Sequence, residues 1–449
     1  MLLKRAFIFC LTILLSMEMY AQTWMPVGSG MNSIVNNETG FDSVLFAGGI
    51  FTTAGGNTAN YISQWNGVNW SSVSTGTDST VFAMCSYNST LFAGGVFDSA
   101  GGKFTNNVAI WNGANWSPAG AGLNAAVYAF CVYQGELYAG GGFDSSGATS
   151  ANFVAEWNGT NWVSANGLIK THIGYFRAGT AYGVNALAVY KGLLFAGGYI
   201  DSANGSRANY IAEWNGTNWA PVGLGTNGYI NALCVYNSML YAGGYFDSAG
   251  GQPAGNIAAW NGTTWSNVGK GVNNIVYSLC VNQGVLYAGG IFDSAGGVSA
   301  SNVAVWNGSN WSPLGIGTSG SVYSLCGFDS SLYVGGNFNF AGGNPASYIA
   351  EWSDSLLTGI NAIAYSGDAK IFPNPATDKM FLQYNAVNTG AVTIKITDLS
   401  GKTIDNYSID NVKSGVNDYP INVTGLGAGM YLIEVSDSHQ TSYRKFVKQ

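Results

Sequence analysis

All fourteen tryptophans of this chain fall on one lattice, two per repeat of about 46 residues. Trp65, Trp111, Trp157, Trp214, Trp260, Trp306 and Trp352 form one series, and Trp70, Trp116, Trp162, Trp219, Trp265 and Trp311 follow the first six of them five residues later. Trp352 has no such follower. The missing partner is Trp24, which stands 24 residues before Gly48-Gly49, as Trp70 stands 24 before Gly94-Gly95 and Trp311 stands 24 before Gly335-Gly336. Seven repeats, the last completed by the N-terminus, imply a ring.

Each repeat reads as four short strands. In the sixth, Val276 to Val281 alternates as a half-buried strand does, and Leu286 to Phe292 follows across a two-residue Gln283-Gly284 turn. Asn302 to Trp306 leads through an Asn307-Gly308 turn into a strand around Trp311. Helical periodicity is absent throughout. One such unit cannot bury its two apolar faces, so the expected fold is an all-β, seven-bladed β-propeller over residues 22–352, closed by the N-terminal strand from Trp24 to Gly30. The two tryptophans of a repeat flank the turn and are placed to pack as a cross-strand pair; a tryptophan platform for sugars is the alternative. The double glycine followed by an aromatic, with a tryptophan downstream, resembles the Kelch-type propeller superfamily over residues 24 to 352. The tyrosine usual between glycines and tryptophan is not kept consistently here.

Charged residues make up 9% of the chain, against roughly a quarter in ordinary globular proteins. Asn, Ser, Thr and Gly must cover the surface. Residues 24–352 carry 6 Lys plus Arg against 13 Asp plus Glu with no basic run, which argues against nucleic acid or anionic membranes as partners. Lys4-Arg5, the apolar run 6–15 and the small Ala21 form a secretory signal peptide over 1–21, too short to span a membrane, and no transmembrane segment is expected. Cys85, Cys131, Cys234, Cys280 and Cys326 recur nine residues before a double glycine. Equivalent positions in neighbouring blades lie too far apart for bridging, so these read as buried small apolar side chains rather than metal thiolates.

A linker over 353–370 leads into a segment of different composition, 371–449. Its Ile371-Phe372-Pro373-Asn374-Pro375-Ala376-Thr377-Asp378, its Val392 to Lys402, its Leu426 to Val435 and its terminal Tyr443 to Lys448, in that order, resemble the type A C-terminal sorting domain of the type IX secretion system. That resemblance implies a small immunoglobulin-like β-sandwich, a partnership of residues 371–449 with the type IX machinery, and export to the cell surface or medium.

Chemistry has little to work with. The ring contains one histidine, His172, and two arginines, Arg177 and Arg207, too few for a histidine-built zinc site or an arginine triad. No cofactor or metal is called for. Asp98, Asp144, Asp201, Asp247 and Asp293 open the connections between second and third strands, with Thr52 and Asn339 at the same place in the first and seventh repeats. They read as Asx turns, each side chain serving a backbone amide two residues on, or as a ring of ligand acceptors. The Asp-Ser-Ala triplets at Asp98, Asp201, Asp247 and Asp293 resemble the short acceptor used for O-glycosylation in bacteria with type IX secretion. The lattice breaks once, between Trp157 and Trp214, where about eleven added residues bring Lys170, His172, Tyr175, Phe176 and Arg177. This aromatic-basic insertion lies on the same face as the aspartates and is either a contact for a glycan or protein ligand or a tolerated loop. The expected function is a secreted or surface-attached, monomeric propeller acting as a non-catalytic binding or adhesion module. A secreted polysaccharide-acting enzyme and a structural surface-layer component are the alternatives.

Overall fold

The computed structural model describes residues 21–165, 169–171, 183–355, 369–372, 374, 376–386, 389–398, 402–427, 429–437 and 441–448. The chain divides into two compact units, Met1–Leu357 and Thr358–Gln449. Among the described residues both are built from strands and turns alone, and the repeated four-stranded antiparallel sheets of the first are those of a propeller-like all-β fold.

Seven such sheets follow one another in unit 1, each with its four strands in spatial order one to four. The sixth consists of Val276–Asn282, Val285–Gly290, Val303–Trp306 and Trp311–Pro313. Its first two strands are joined by Gln283-Gly284, with φ of 49° and 74°, the left-handed pair that a two-residue hairpin needs to match strand twist. The connection between paired Trp306 and Trp311 is four residues, not two. Asn307 Oδ1 accepts the amides of Ser309 and Asn310 at 2.9 and 2.8 Å. The Asn of each Asn-Gly is therefore selected as an Asx-turn former.

The double glycine has two separate steric causes. A Cβ on Gly289 would lie 2.4 Å from Val322 Cγ1 in the next sheet, while one on Gly290 would lie 2.0 Å from the carbonyl oxygen of Ile275 in its own first strand. The first glycine admits the neighbouring sheet and the second admits the strand beside it. The same contacts recur from sheet to sheet, and a Cβ on Gly335 of the seventh sheet would lie 2.7 Å from Val35 Cγ1 of the first. Each first strand also carries a bulge at one position, leaving Asn36, Phe82, Tyr128, Asn185, Asn231, Tyr277 and Tyr323 outside the ladder.

Tryptophan holds the third and fourth strands. Within each pair the ring centroids are 5.2 to 5.4 Å apart. All are buried except Trp65, which is half-buried. The fourth-strand indole also reaches the sheet before it: Trp70 Nε1 donates to Val27 O at 2.9 Å, Trp116 to Val73 O at 3.1 Å and Trp311 to Val268 O at 2.9 Å. Phenylalanine could supply the area but not the donor.

The fourth strand of the seventh sheet is Ala21–Pro26. It pairs along Ile349–Ser355 with Trp24 opposite Trp352, and Trp24 Nε1 donates to Leu314 O at 3.2 Å. The partner strand thus runs to Ser355, into the stretch read as linker.

Unit 2 holds a three-stranded sheet of Ala369–Phe372, Lys379–Ala386 and Gly415–Asn422. A four-stranded sheet orders Thr403–Val412, Gly390–Asp398, Gly429–Ser436 and Thr441–Lys448. Met380, Leu382, Ile394, Ile433 and Phe446, fully buried, belong to one core shared by both.

Candidate functional site

The five aspartates are exposed, and the loops of Asp98, Asp144, Asp247 and Asp293 are held by side chains upstream rather than by the aspartates' own Asx turns. The structure replaces that reading with a longer-range clamp. Asn273, on the connection entering sheet six, accepts the amides of Asp293 and Ser294 through Oδ1 and donates from Nδ2 to Asp293 Oδ1 at 2.6 Å. Asn124 holds Asp144 and Asn227 holds Asp247 in the same way. Asp78 accepts the amides of Asp98 and Ser99, Asn32 those of Thr52 and Thr53, and Ser319 those of Asn339 and Phe340. The partner stands 20 residues upstream in every case. These bonds place the two kinds of long connection at one end of the sheets.

In sheet four the inserted strand Ile169–Thr171 pairs with Ile200–Ala203, Lys170 lying opposite Ser202. His172, Tyr175, Phe176 and Arg177 lie outside the described residues. Asp201 opens the loop on which that strand rests. The serines of the Asp-Ser-Ala triplets, Ser99, Ser202, Ser248 and Ser294, are half-buried, and Ser99 Oγ donates to Asp78 Oδ2 at 2.9 Å.

A cleft of about 460 Å³ opens at the loop end between sheets six and seven, lined by Asn273, Asn274, Asp293, Ser301, Thr318 and Ser319 among others. Hydroxyl and amide groups dominate it. Toward sheets four and five the same end carries a tyrosine stack that sequence reasoning missed. Tyr199 lies 4.7 Å from Tyr229 at 19°, Tyr229 lies 5.6 Å from Tyr245 at 35°, and Tyr245 is 54% exposed. The bulge residues of these sheets lie two positions beyond, where Asn185 Nδ2 donates to Ile230 O at 3.3 Å and to Asn231 Oδ1 at 3.4 Å. Elsewhere the bulge positions are aromatic and touch across sheets, Phe82 to Tyr128 at 5.4 Å and Tyr277 to Tyr323 at 5.0 Å.

The cysteines are half-buried rather than buried, and none is bridged. Burial pushes their thiols up, to about 11 at Cys85 and Cys280, so they are inert at neutral pH. Among the described residues no group of three or more His, Cys, Asp or Glu is placed to hold a metal ion.

Glu38 is a second feature missed at first reading. It occupies the column of Met84, Phe130, Leu187, Leu233, Leu279 and Leu325 and is 4% exposed. Ser324 Oγ donates to its Oε2, while its Oε1 has no hydrogen-bond partner and lies against Gly335. Burial raises its pKa from 4.5 to about 7, against the opposing pull of the Ser324 hydroxyl. The folded chain therefore holds this proton more tightly than the unfolded one does. The contribution of Glu38 to stability is fully present below pH 4.5, is lost as pH rises toward 7 and is flat above, the loss from this one group being on the order of 3 kcal/mol. Glu38→Leu is expected to flatten that decline in the unfolding free energy measured between those limits; an unchanged slope would show that other groups cause it.

The family model for the secretion system C-terminal sorting domain matches residues 370–449. The chain thus carries the signal for type IX export to the cell surface or medium. No helix among the described residues is long and apolar enough to cross a membrane. An endo-acting ulvan lyase of Formosa agariphila is 36% identical over 95 residues, which is 20% of this chain and 16% of that protein. The solved structure of PorZ, an essential bacterial surface component of the type-IX secretion system of Porphyromonas gingivalis, aligns over 92% of this chain and 51% of its own, at 16% identity and a TM-score of 0.28. A glycoside hydrolase family 43 arabinoxylan arabinofuranohydrolase from Bacillus subtilis aligns over 94% and 96%, at 10% identity and a TM-score of 0.24. With likenesses this distant, the fold rests on the chain's own strand pairing.

Proposed function

We propose that unit 1 is a closed, seven-bladed propeller of Kelch type and that it serves the exported protein as a non-catalytic binding module for a glycan. Unit 2, an immunoglobulin-like sandwich in this reading, addresses the chain to the type IX machinery. Closure is supported by the three contacts that return from the last sheet to the first: the Trp24 strand on Ile349–Ser355, Gly335 on Val35, and the Trp70 indole on Val27.

The observation that carries the binding reading is the chemistry of the loop end. Hydroxyls, amides and an exposed tyrosine collect there, fixed by side-chain clamps to rigid sheets, and such uncharged hydrogen-bonding groups beside an aromatic face suit sugars. A second reading, polysaccharide cleavage, is favoured by the partial ulvan lyase likeness. The two separate in one experiment. Secreted protein incubated with an immobilised polysaccharide panel that includes ulvan is expected to be retained without releasing oligosaccharides; soluble products would establish the enzyme reading instead.

A further inference from the structure

We propose that the tyrosine stack of sheets four and five, Tyr199, Tyr229 and Tyr245 beside the amides of Asn185 and Asn231, binds an uncharged pyranose unit. The inference rests on the binding-module reading above and adds to it a place and a ligand class.

Symmetry supplies the first argument. A residue kept for packing between sheets recurs in every repeat, as the tryptophans and double glycines do. The stack does not. The position of Tyr229 is Ile34, Thr80, Ala126, Gly183, Ile275 and Ser321 in the other repeats. The position shared by Tyr199 and Tyr245 is Ile50, Val96, Gly142, Ile291 and Asn337 elsewhere. Packing is satisfied without tyrosine at these places, so something besides packing accounts for three of them in contact. The single insertion of the ring enters at the same sector, since Tyr199 N donates to Gly183 O at the insertion's end.

Geometry supplies the second. Tyr229 is held between two rings, at 4.7 and 5.6 Å, and Tyr245 keeps 54% of its surface in solvent. A stacked phenol has already lost its rotamer freedom, so covering it costs little further entropy. The apolar C–H face of a pyranose covers such a ring while its hydroxyls face outward to polar groups. The Asn185 and Asn231 amides are tied to the same backbone, Asn185 donating through Nδ2 to Ile230 O and Asn231 Oδ1, so the strand that carries Tyr229 is fixed.

Charge selects the class. The three tyrosines and two asparagines are uncharged, and burial pushes the neighbouring Tyr277 phenol up to about 12, which keeps it neutral as well. Exposed Asp247 follows Tyr245, the most exposed ring of the stack, by two residues. Its negative charge disfavours sulfated or uronate chains and leaves a neutral sugar unopposed.

The test uses the full secreted chain on an array of neutral, uronate and sulfated oligosaccharides, with thermal unfolding measured for each variant. Neutral oligosaccharides are expected to be retained, with Kd weakened about tenfold or more in Tyr229→Ala and Tyr245→Ala and within about twofold of the parent in Tyr245→Phe, which keeps the ring. Tyr245 is exposed, so its alanine variant should unfold at the parent's temperature. Neutral-glycan binding left intact in a folded Tyr245→Ala would move the site elsewhere while leaving the binding module standing. Retention of sulfated or uronate glycans alone would overturn the ligand class. No glycan retained by the parent would remove the inference and the binding reading together.

Discussion

Gly290→Ala is expected to destabilise unit 1 by more than about 4 kcal/mol, the range in which a single substitution is diagnostic of a specific clash. The added methyl would sit 2.0 Å from Ile275 O and 3.0 Å from the carbonyl carbon behind it. Both are backbone atoms of the residue just before the first strand, whose carbonyl accepts Ile291 N, so no rotamer change relieves the overlap, and the first and second strands must part there. Gly308→Ala is the control. Its Cβ would meet nothing within 4 Å, and only its φ of 94° opposes the change, at a cost of about 1 kcal/mol. Chemical denaturation of both variants should separate them clearly. Equal, small losses would mean that the sheet accommodates a side chain there and that the double glycine has another cause.

Trp24→Ala is expected to cost about 4 kcal/mol, the middle of the range for emptying a tryptophan site. The indole is 4% exposed, packs edge-on against Trp352 at 5.2 Å and donates to Leu314 O. Its loss opens a cavity, removes one of the two hydrogen bonds to Leu314 O, the other coming from Gly317 N, and weakens the strand that pairs with Ile349–Ser355. Trp70→Ala removes the same set of contacts one sheet later, where both strands of the pair are close in sequence. Folding rates should therefore distinguish the variants even where equilibrium losses agree. A Trp24→Ala variant with parent-like stability would mean that Ala21–Pro26 does not hold the seventh sheet together.

The sheets were legible because tryptophan packs across the same hairpin in each repeat. At six of the seven fourth-strand positions it also bonds to the preceding sheet, Trp162 Nε1 being without a partner, so the lattice recorded the strand pairing, including the place of Trp24. The double glycine was visible as a pattern, but its two steric causes lie in partners from another strand and another sheet. The aspartate reading failed for a physical reason. Asp-Ser is a strong local turn former, yet the partner of each loop stands 20 residues upstream, and Asn32, Asp78, Asn124, Asn227, Asn273 and Ser319 were the available signal. Glu38 could have been found the same way, as the one acidic residue in a column of Leu, Met and Phe. The tyrosine stack could not. Its members come from two repeat registers, and only the approach of sheets four and five brings them together.

The pairing of Ala21–Pro26 with Ile349–Ser355 has a kinetic consequence. The earlier of these two segments meets its partner only after more than three hundred residues have followed, so this ladder forms late and at high loop-closure cost. Until then Ile349–Ser355 presents an unpaired edge, open to strand exchange with another nascent copy.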